Sequence, residues 1–145
     1  MRFGERRAES GERRAKNCTP IACQFHPATH MFRFVNLEVW QRSSAISPTL
    51  FEIADALEQH KKFRWAEQLR SAVLSITNNI AEGSGSFSDA EFAQFLNFAR
   101  RSAFETANIL IILAHEQIFP DTPELLLVEL DEICRMITAF RKTLL

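Results

Sequence analysis

From Leu37 onward the chain repeats one pattern, apolar residues three and four positions apart, the spacing of a helix that buries one stripe and wets the rest. Trp40, Ser43, Ser47, Leu50, Ala54 and Leu57 keep that spacing, with Val39, Ile46 and Ile53 beside them, and predict a first helix from Leu37 to His60. Pro48 falls inside it; proline lacks an amide donor and crowds the preceding turn, so a kink or a break is expected near Ser44 to Ser47. Ala66, Leu69, Val73, Ile76 and Ile80 predict a second helix from Arg64 to Glu82, with Gly83 expected to close it as a left-handed cap.

Ser84 to Phe87 reads as a short loop, because Ser88-Asp-Ala-Glu91 is a capping box in which the Ser hydroxyl and the Glu carboxylate satisfy amides at the start of a third helix. That helix carries Phe92, Phe95, Leu96, Ala99, Ala103, Ala107, Leu110 and Leu113 on one face and runs to His115 or Phe119. Phe98, Ile109 and Ile112 lie to one side, and Phe104 and Ile111 to the other. Its C-terminal half is thus apolar almost all round, more than the core of one chain would cover, which predicts self-association. Thr122-Pro123-Glu124 announces a fourth helix, in which Leu126, Leu130, Ile133, Ile137, Phe140 and Leu144 form the stripe and Arg141 and Lys142 complement the C-terminal dipole. Four amphipathic helices, short connections and almost no strand signal predict an all-α fold, an antiparallel up-down-up-down four-helix bundle.

Composition supports that class: the 145 residues are 46% hydrophobic with 13 Phe, no Tyr and only four Gly, too few turn residues for a sheet protein. A domain over residues 31–145 is long enough to bury roughly two-thirds of its unfolded surface without a metal or disulfide. Residues 1–30 differ. They repeat Gly-Glu-Arg-Arg-Ala at Gly4 and Gly11 with no apolar face, and read as a disordered N-terminal extension, with Met31 standing where the apolar patterning begins.

Charge divides the same way, six Arg/Lys against three Glu in residues 1–30 and 11 basic against 15 acidic residues in 31–145. The bundle therefore lacks the net positive charge of a phosphate binder, and a nucleic-acid role would rest on local clusters. The candidate contacts are Lys61, Lys62 and Arg64 between helices one and two, Arg100 and Arg101 on helix three, and Arg141 and Lys142 at the end. Each such run also reads as an ordinary solvated helix face; a symmetric ring of chains would concentrate it. The longest strictly apolar run, Ile109 to Ala114, is far too short to cross a bilayer, and the start lacks the apolar core of a signal peptide. Neither export nor membrane insertion is expected. Three cysteines, at 18, 23 and 134, form no disulfide framework and fit a reducing cytoplasm, with Cys134 as a small buried hydrophobe.

Reaction chemistry finds little support. Cys18, Cys23, His26 and His30 form the only metal-like cluster, but the spacing lacks the long middle segment of a zinc finger and Pro27 constrains its turn, so accidental residues of a tail are the better reading. His60 reads as solvated in a turn and His115 as a favourable charge near a helix end. No Glu-x-x-His occurs for a di-iron bundle, and there is no phosphate loop, G-x-S-x-G or H-E-x-x-H. The sequence predicts a protein that is not an enzyme and needs no cofactor.

One polar constellation remains, Ser75-Ile-Thr-Asn-Asn-Ile-Ala-Glu-Gly83, in which Ser75, Asn79 and Glu82 fall on one line at the edge of helix two's stripe while Asn78 points away. Its expected role is structural, with Asn79 bonding at the bundle edge and Glu82 pairing with an Arg or capping a neighbouring helix. Arg70 and Glu105 are candidate members of an interhelical or intersubunit ion pair.

These residues resemble the 23S ribosomal RNA intervening-sequence proteins. The resemblance rests on Leu37-Glu38-Val39-Trp40, on Arg70 with Ser75-Ile76 and Asn79-Ile80-Ala81-Glu82-Gly83, on Glu91-Phe92-Ala93-Gln94-Phe95-Leu96, and on Ser102 with Glu105. It covers residues 34–144, departing where Thr77 replaces a usual proline, where Arg101 replaces a common glycine, and at Pro48. The family has no established biochemical activity, so the resemblance implies a helical bundle rather than a reaction. It is also similar to accessory proteins of diversity-generating retroelements, ring-forming pentamers associated with nucleic acid and a reverse transcriptase. That similarity implies a homopentamer with RNA or DNA as partner; the alternative is a protein–protein interaction module with no nucleic-acid role. Fold alone transmits neither.

Overall fold

The computed structural model describes residues 32–118 and 124–145, so the N-terminal extension, its Cys and His residues and the Thr122-Pro123 cap lie outside the described residues. Among the described residues a 3-10 turn, Arg33–Asn36, leads into four helices: α1 (Glu38–Gln59), α2 (Phe63–Ser84), α3 (Asp89–His115) and α4 (Glu124–Leu144). No strand is present among the described residues.

The predicted stripes form the core. Leu50 and Leu57 of α1, Leu69, Ile76 and Ile80 of α2, Leu96, Leu110 and Leu113 of α3, and Leu130, Ile133 and Ile137 of α4 are all fully buried. Phe92 meets Phe140 edge to face at 5.1 Å and joins α3 to α4. Register follows from cross-helix pairs: Gly83 lies against Phe92 and Phe95, Ser75 meets Ser102, and Gln68 meets Glu105. One number falls as the other rises, which is the register of antiparallel neighbours. Phe92 with Phe140, and Ala103 and Ala107 with Leu130 and Cys134, give the same relation between α3 and α4.

Three expectations are corrected. Of the kink or break expected at Pro48, the break does not form: α1 runs unbroken from Glu38 to Gln59 with Pro48 inside it. Pro48 is exposed, so its ring crowds no core neighbour, and the helix loses one amide donor there. The Ser43 and Ser47 hydroxyls donate to the carbonyls one turn back, at 2.7 and 2.9 Å. Gly83 is not a left-handed cap: it is buried inside α2, no glycine among the described residues has positive φ, and the helix closes at Gly85 with right-handed backbone. A Cβ built on Gly83 would stand 2.6 Å from both Phe92 Cδ2 and Phe95 Cβ, so the glycine is there to let α2 and α3 approach. Ser84 accordingly belongs to α2 rather than to the loop.

Of the capping box, the Ser88 half forms, its hydroxyl accepting from the Glu91 amide at 3.2 Å. The surplus apolar surface of α3 is only partly absorbed. Ile109 enters the chain's own core, whereas Phe104 and Ile111 remain about half exposed, at 55% and 53%.

Candidate functional site

The Ser75–Gly83 segment is tied to its own bundle. Ser75 and Ser102 hydroxyls meet across α2 and α3 at 2.8 Å, and Asn79 Nδ2 donates back to the Ser75 carbonyl at 2.7 Å and to its hydroxyl at 3.0 Å. Ser102 in turn donates to the Phe98 carbonyl and Thr106 to the Ser102 carbonyl. With Ser102 bonded to a carbonyl of its own helix and the two hydroxyls bonded to each other, the two backbones lie close without an orphaned hydroxyl. Ser75, Ser102, Phe98, Arg101 and Glu105 line an open recess of about 460 Å³ on this face. Glu82 and Asn78 are exposed, and the Glu82 carboxylate has no ion-pair partner among the described residues.

Within the chain Arg70 and Glu105 do not pair with each other. Arg70 reaches α1, donating to Glu58 at 2.5 Å and to Asp55, and these two hydrogen bonds, Glu58 first, raise its already high pKa. Glu105 accepts instead from Gln68. Arg70 is the eighth residue of α2 and meets the last turns of α1 across the tight connection, while Glu105 lies on α3.

A clip that sequence reading missed joins α1 to α4. Arg42 donates from Nε and Nη2 to the two carboxylate oxygens of Glu129 at 2.6 and 2.7 Å, a bidentate pair flanked by Glu132 at 3.9 Å and the Met136 sulfur at 3.6 Å. The Arg42 hydrogen bond holds the Glu129 carboxyl below its ordinary value, and the same bond raises Arg42. Nothing in a linear pattern could reveal this partnership across 87 positions.

The seven candidate nucleic-acid contacts do not converge on one face. Lys61, Lys62 and Arg64 are exposed at the α1–α2 turn, Arg101 is exposed on α3, and Arg141 and Lys142 occupy the last turn of α4, at the opposite end of the bundle. Arg141 Nε donates to the Ala93 carbonyl at 2.8 Å, and the Arg100 guanidinium lies 4.8 Å above the Phe104 ring. None of the seven forms an ion pair among the described residues, where the arginines that do are Arg42, Arg70 and Arg135. Sequence reading also passed over Phe63, which is 61% exposed between Lys62 and Arg64. It is in phase with Ala66 and so mimics a core position. As the first residue of α2, its side chain tilts past the helix end rather than into the core.

On the α3–α4 side, Phe104, Ile111 and Leu127 line an apolar groove floored by Ala103, Leu130 and Cys134. Cys134 is buried, as expected of a small hydrophobe, and burial pushes its thiol pKa up. Leu125 and Val128 of α4 are exposed, at 80% and 60%. Trp40 is half-buried, packs on the core and meets Phe34 at 5.0 Å. Among the described residues no group of three or more His, Cys, Asp or Glu is placed to hold a metal, and no helix is long and apolar enough to cross a membrane.

Four packed helices, small residues at the α2–α3 contact and, among the described residues, no gathered set of metal-binding groups define a helical-bundle protein. The sequence profile of the 23S rRNA-intervening sequence proteins matches residues 35–139, and the chain belongs to that family. A similar solved structure is a protein of unknown function from the S23 ribosomal protein family of Bacteroides thetaiotaomicron. It is 26% identical, with a TM-score of 0.54, over 73% of this chain and 94% of that one. Among curated proteins no match is found.

Proposed function

We propose that this protein is a non-enzymatic, homo-oligomeric scaffold of the cytoplasm that holds RNA or DNA. The observation that carries the reading is the state of its cations: Lys61, Lys62, Arg64, Arg100, Arg101, Arg141 and Lys142 form no ion pair among the described residues, while Arg42, Arg70 and Arg135 of the same bundle do. Unpaired cations repeated around a symmetric assembly focus a positive potential that a single, slightly acidic chain does not have. The exposed Phe104, Ile111, Leu125 and Val128 supply apolar surface for self-association, and the resemblance to ring-forming accessory proteins favours a pentamer.

The test pairs a mass measurement of the assembly with binding of RNA and DNA oligonucleotides to the full chain. Phosphate-driven binding is expected to weaken steeply between about 50 mM and about 200 mM salt. A monomeric species, or no binding even at the lower salt, would overturn the corresponding half of the reading. A second reading, a protein–protein adaptor without nucleic acid, is favoured by the same exposed apolar residues together with the acidic excess of residues 31–145. Salt-insensitive capture of a protein partner, with no nucleic-acid binding, would establish it.

A further inference from the structure

Five phenylalanines stand exposed by a third or more among the described residues, Phe32, Phe63, Phe87, Phe98 and Phe104, and their electrostatic settings differ. Phe104 already carries the Arg100 guanidinium on its ring face, Phe32 leans on Phe34 and Phe98 on Phe95. Phe87 leads into the acidic first turn of α3, with Asp89 and Glu91. Phe63 alone of the five has cations directly on both sides, Lys62 before it and Arg64 after it, with Lys61 one residue further back. No acidic residue lies in the first turn of α2, and Glu67, one turn on from Arg64, forms no ion pair with it.

The turn that presents these residues is fixed by its backbone. Lys61 takes left-handed φ of 60°, its amide donates to the Glu58 carbonyl at 2.8 Å, and the Lys62 amide donates to the Leu57 carbonyl at 2.8 Å. Those bonds close α1 and start α2 within three residues, so three cations and a ring are displayed from a short connection between two packed helices. A pre-ordered site loses little conformational freedom on binding.

We propose that Lys61, Lys62, Phe63 and Arg64 form a contact for single-stranded nucleic acid, in which the cations track consecutive phosphates and an unpaired base stacks on the Phe63 ring. The inference rests on the nucleic-acid reading above and adds to it the strand state and the place. Bases in a duplex are already stacked on their neighbours and offer no free face to a ring at a turn, whereas every unpaired base does. An acidic peptide would use the cations but gain nothing specific from the aromatic face.

The experiment measures binding of the full chain to single-stranded and duplex RNA of the same sequence over a range of salt, for the wild type and four variants. Phe63→Ala is expected to lower single-strand affinity about tenfold with the salt slope unchanged, and Phe63→Trp to retain affinity, since stacking depends on a ring. The triple change Lys61→Gln, Lys62→Gln and Arg64→Gln is expected to reduce the single-strand salt slope by about two. Arg141→Gln with Lys142→Gln, at the other end of the bundle, is expected to leave Phe63-dependent binding intact. Thermal unfolding confirms that each variant folds; should Phe63→Ala be unstable, Phe63→Leu keeps an apolar side chain while removing the ring. Wild-type binding that survives in the Phe63 and triple variants but is lost in the Arg141/Lys142 variant would overturn this site and leave the nucleic-acid reading standing. Equal loss of duplex and single-strand affinity in Phe63→Ala would overturn the stacking assignment. A wild type that binds neither strand form would bring down the broader reading as well.

Discussion

The α2–α3 contact and the α1–α4 contact close the same bundle by opposite means. Between α2 and α3 the helices meet through small and hydroxylated residues: Gly83 under Phe92 and Phe95, and Ser75 against Ser102 at 2.8 Å. Between α1 and α4 a long charged pair, Arg42 with Glu129, bridges a partly exposed seam in which both side chains keep roughly 30% of their surface. The first contact tolerates no added volume and depends on steric fit, the more costly thing to disturb in a packed interior. The second tolerates rearrangement, because water can replace either partner. A chain whose hairpin-connected helices are locked by fit can leave the seam between its first and last helices to electrostatics.

The sharpest way to break this contrast is Gly83→Ala. Alanine gains about 1 kcal/mol of helix propensity over glycine, but its Cβ would overlap Phe95 Cβ, an atom fixed to the α3 backbone rather than the free end of a side chain. The expected outcome is a net loss of about 1–3 kcal/mol in urea unfolding, and more for Gly83→Val. A Gly83→Ala variant as stable as the wild type would show that the helices can separate without penalty, and the contrast between the seams would disappear.

The hydroxyl pair comes next. Ser75→Ala and Ser102→Ala are each expected to cost about 1 kcal/mol. The double variant should cost less than the sum, with a coupling of at least about 0.5 kcal/mol, because either change alone removes the shared hydrogen bond. Strict additivity in the cycle would mean that the two hydroxyls act only on their own helices.

Where the sequence succeeded and failed follows the same division. The stripes were legible because burial imposes period 3.6 on each helix separately: Leu69, Val73, Ile76 and Ile80 could be read without knowing what they pack against, and all are buried. Gly83 reads as a cap because a glycine at the end of an apolar stripe can take positive φ freely, while the property that matters there, the volume a Cβ would occupy, belongs to α3. The break expected at Pro48 fails for a related reason: whether a proline ends a helix depends on the packing around it, which the chain's own pattern does not show. Arg70 stands out in the sequence as a charge beside an apolar stripe, but its carboxylates within the chain, Asp55 and Glu58, lie on α1. Arg42 went unnoticed altogether. Pairings between helices leave no periodic trace, so the candidate site was legible as residue types and exposure, and not as partnerships.

A smaller effect separates the seams by pH. Glu129→Gln is expected to cost about 0.5–1 kcal/mol at neutral pH, since the pair is partly exposed. The Arg42 hydrogen bond lowers the folded-state pKa of Glu129, so the folded chain holds its carboxylate charged further into acid than the unfolded chain does. Its contribution is therefore complete above the unfolded carboxyl value of about 4.3 and fades as pH falls through the lower folded value. The stability gap between wild type and Glu129→Gln should be full at neutral pH and close in acid, read as urea midpoints across that range. The Ser75→Ala gap should show no such closure, since neither hydroxyl titrates. A Glu129→Gln gap that persisted unchanged in acid would remove the electrostatic account of the α1–α4 seam.

The smallest expected change has the opposite sign and lies outside both seams. Lys61 closes α1 and Gln117 closes α3 in left-handed backbone, with φ of 60° and 53°, at positions where the following amides reach back to Leu57 and Leu113. That six-residue closure favours glycine, because a Cβ in the left-handed region crowds the adjacent carbonyl. Lys61→Gly and Gln117→Gly are each expected to raise stability by about 0.5 kcal/mol or less, the relief of strain being partly offset by the greater freedom of glycine in the unfolded chain. Because neither residue contributes to the α2–α3 fit or to the Arg42 clip, each change should add to those of Gly83→Ala and Glu129→Gln without coupling. Non-additivity would mean that the turns and the seams adjust together, and that the two modes of closure are not independent. In Lys61→Gly the same change removes a cation from the proposed strand contact, so a variant that gained stability while losing single-strand affinity would show a stability optimum given up at that turn for charge.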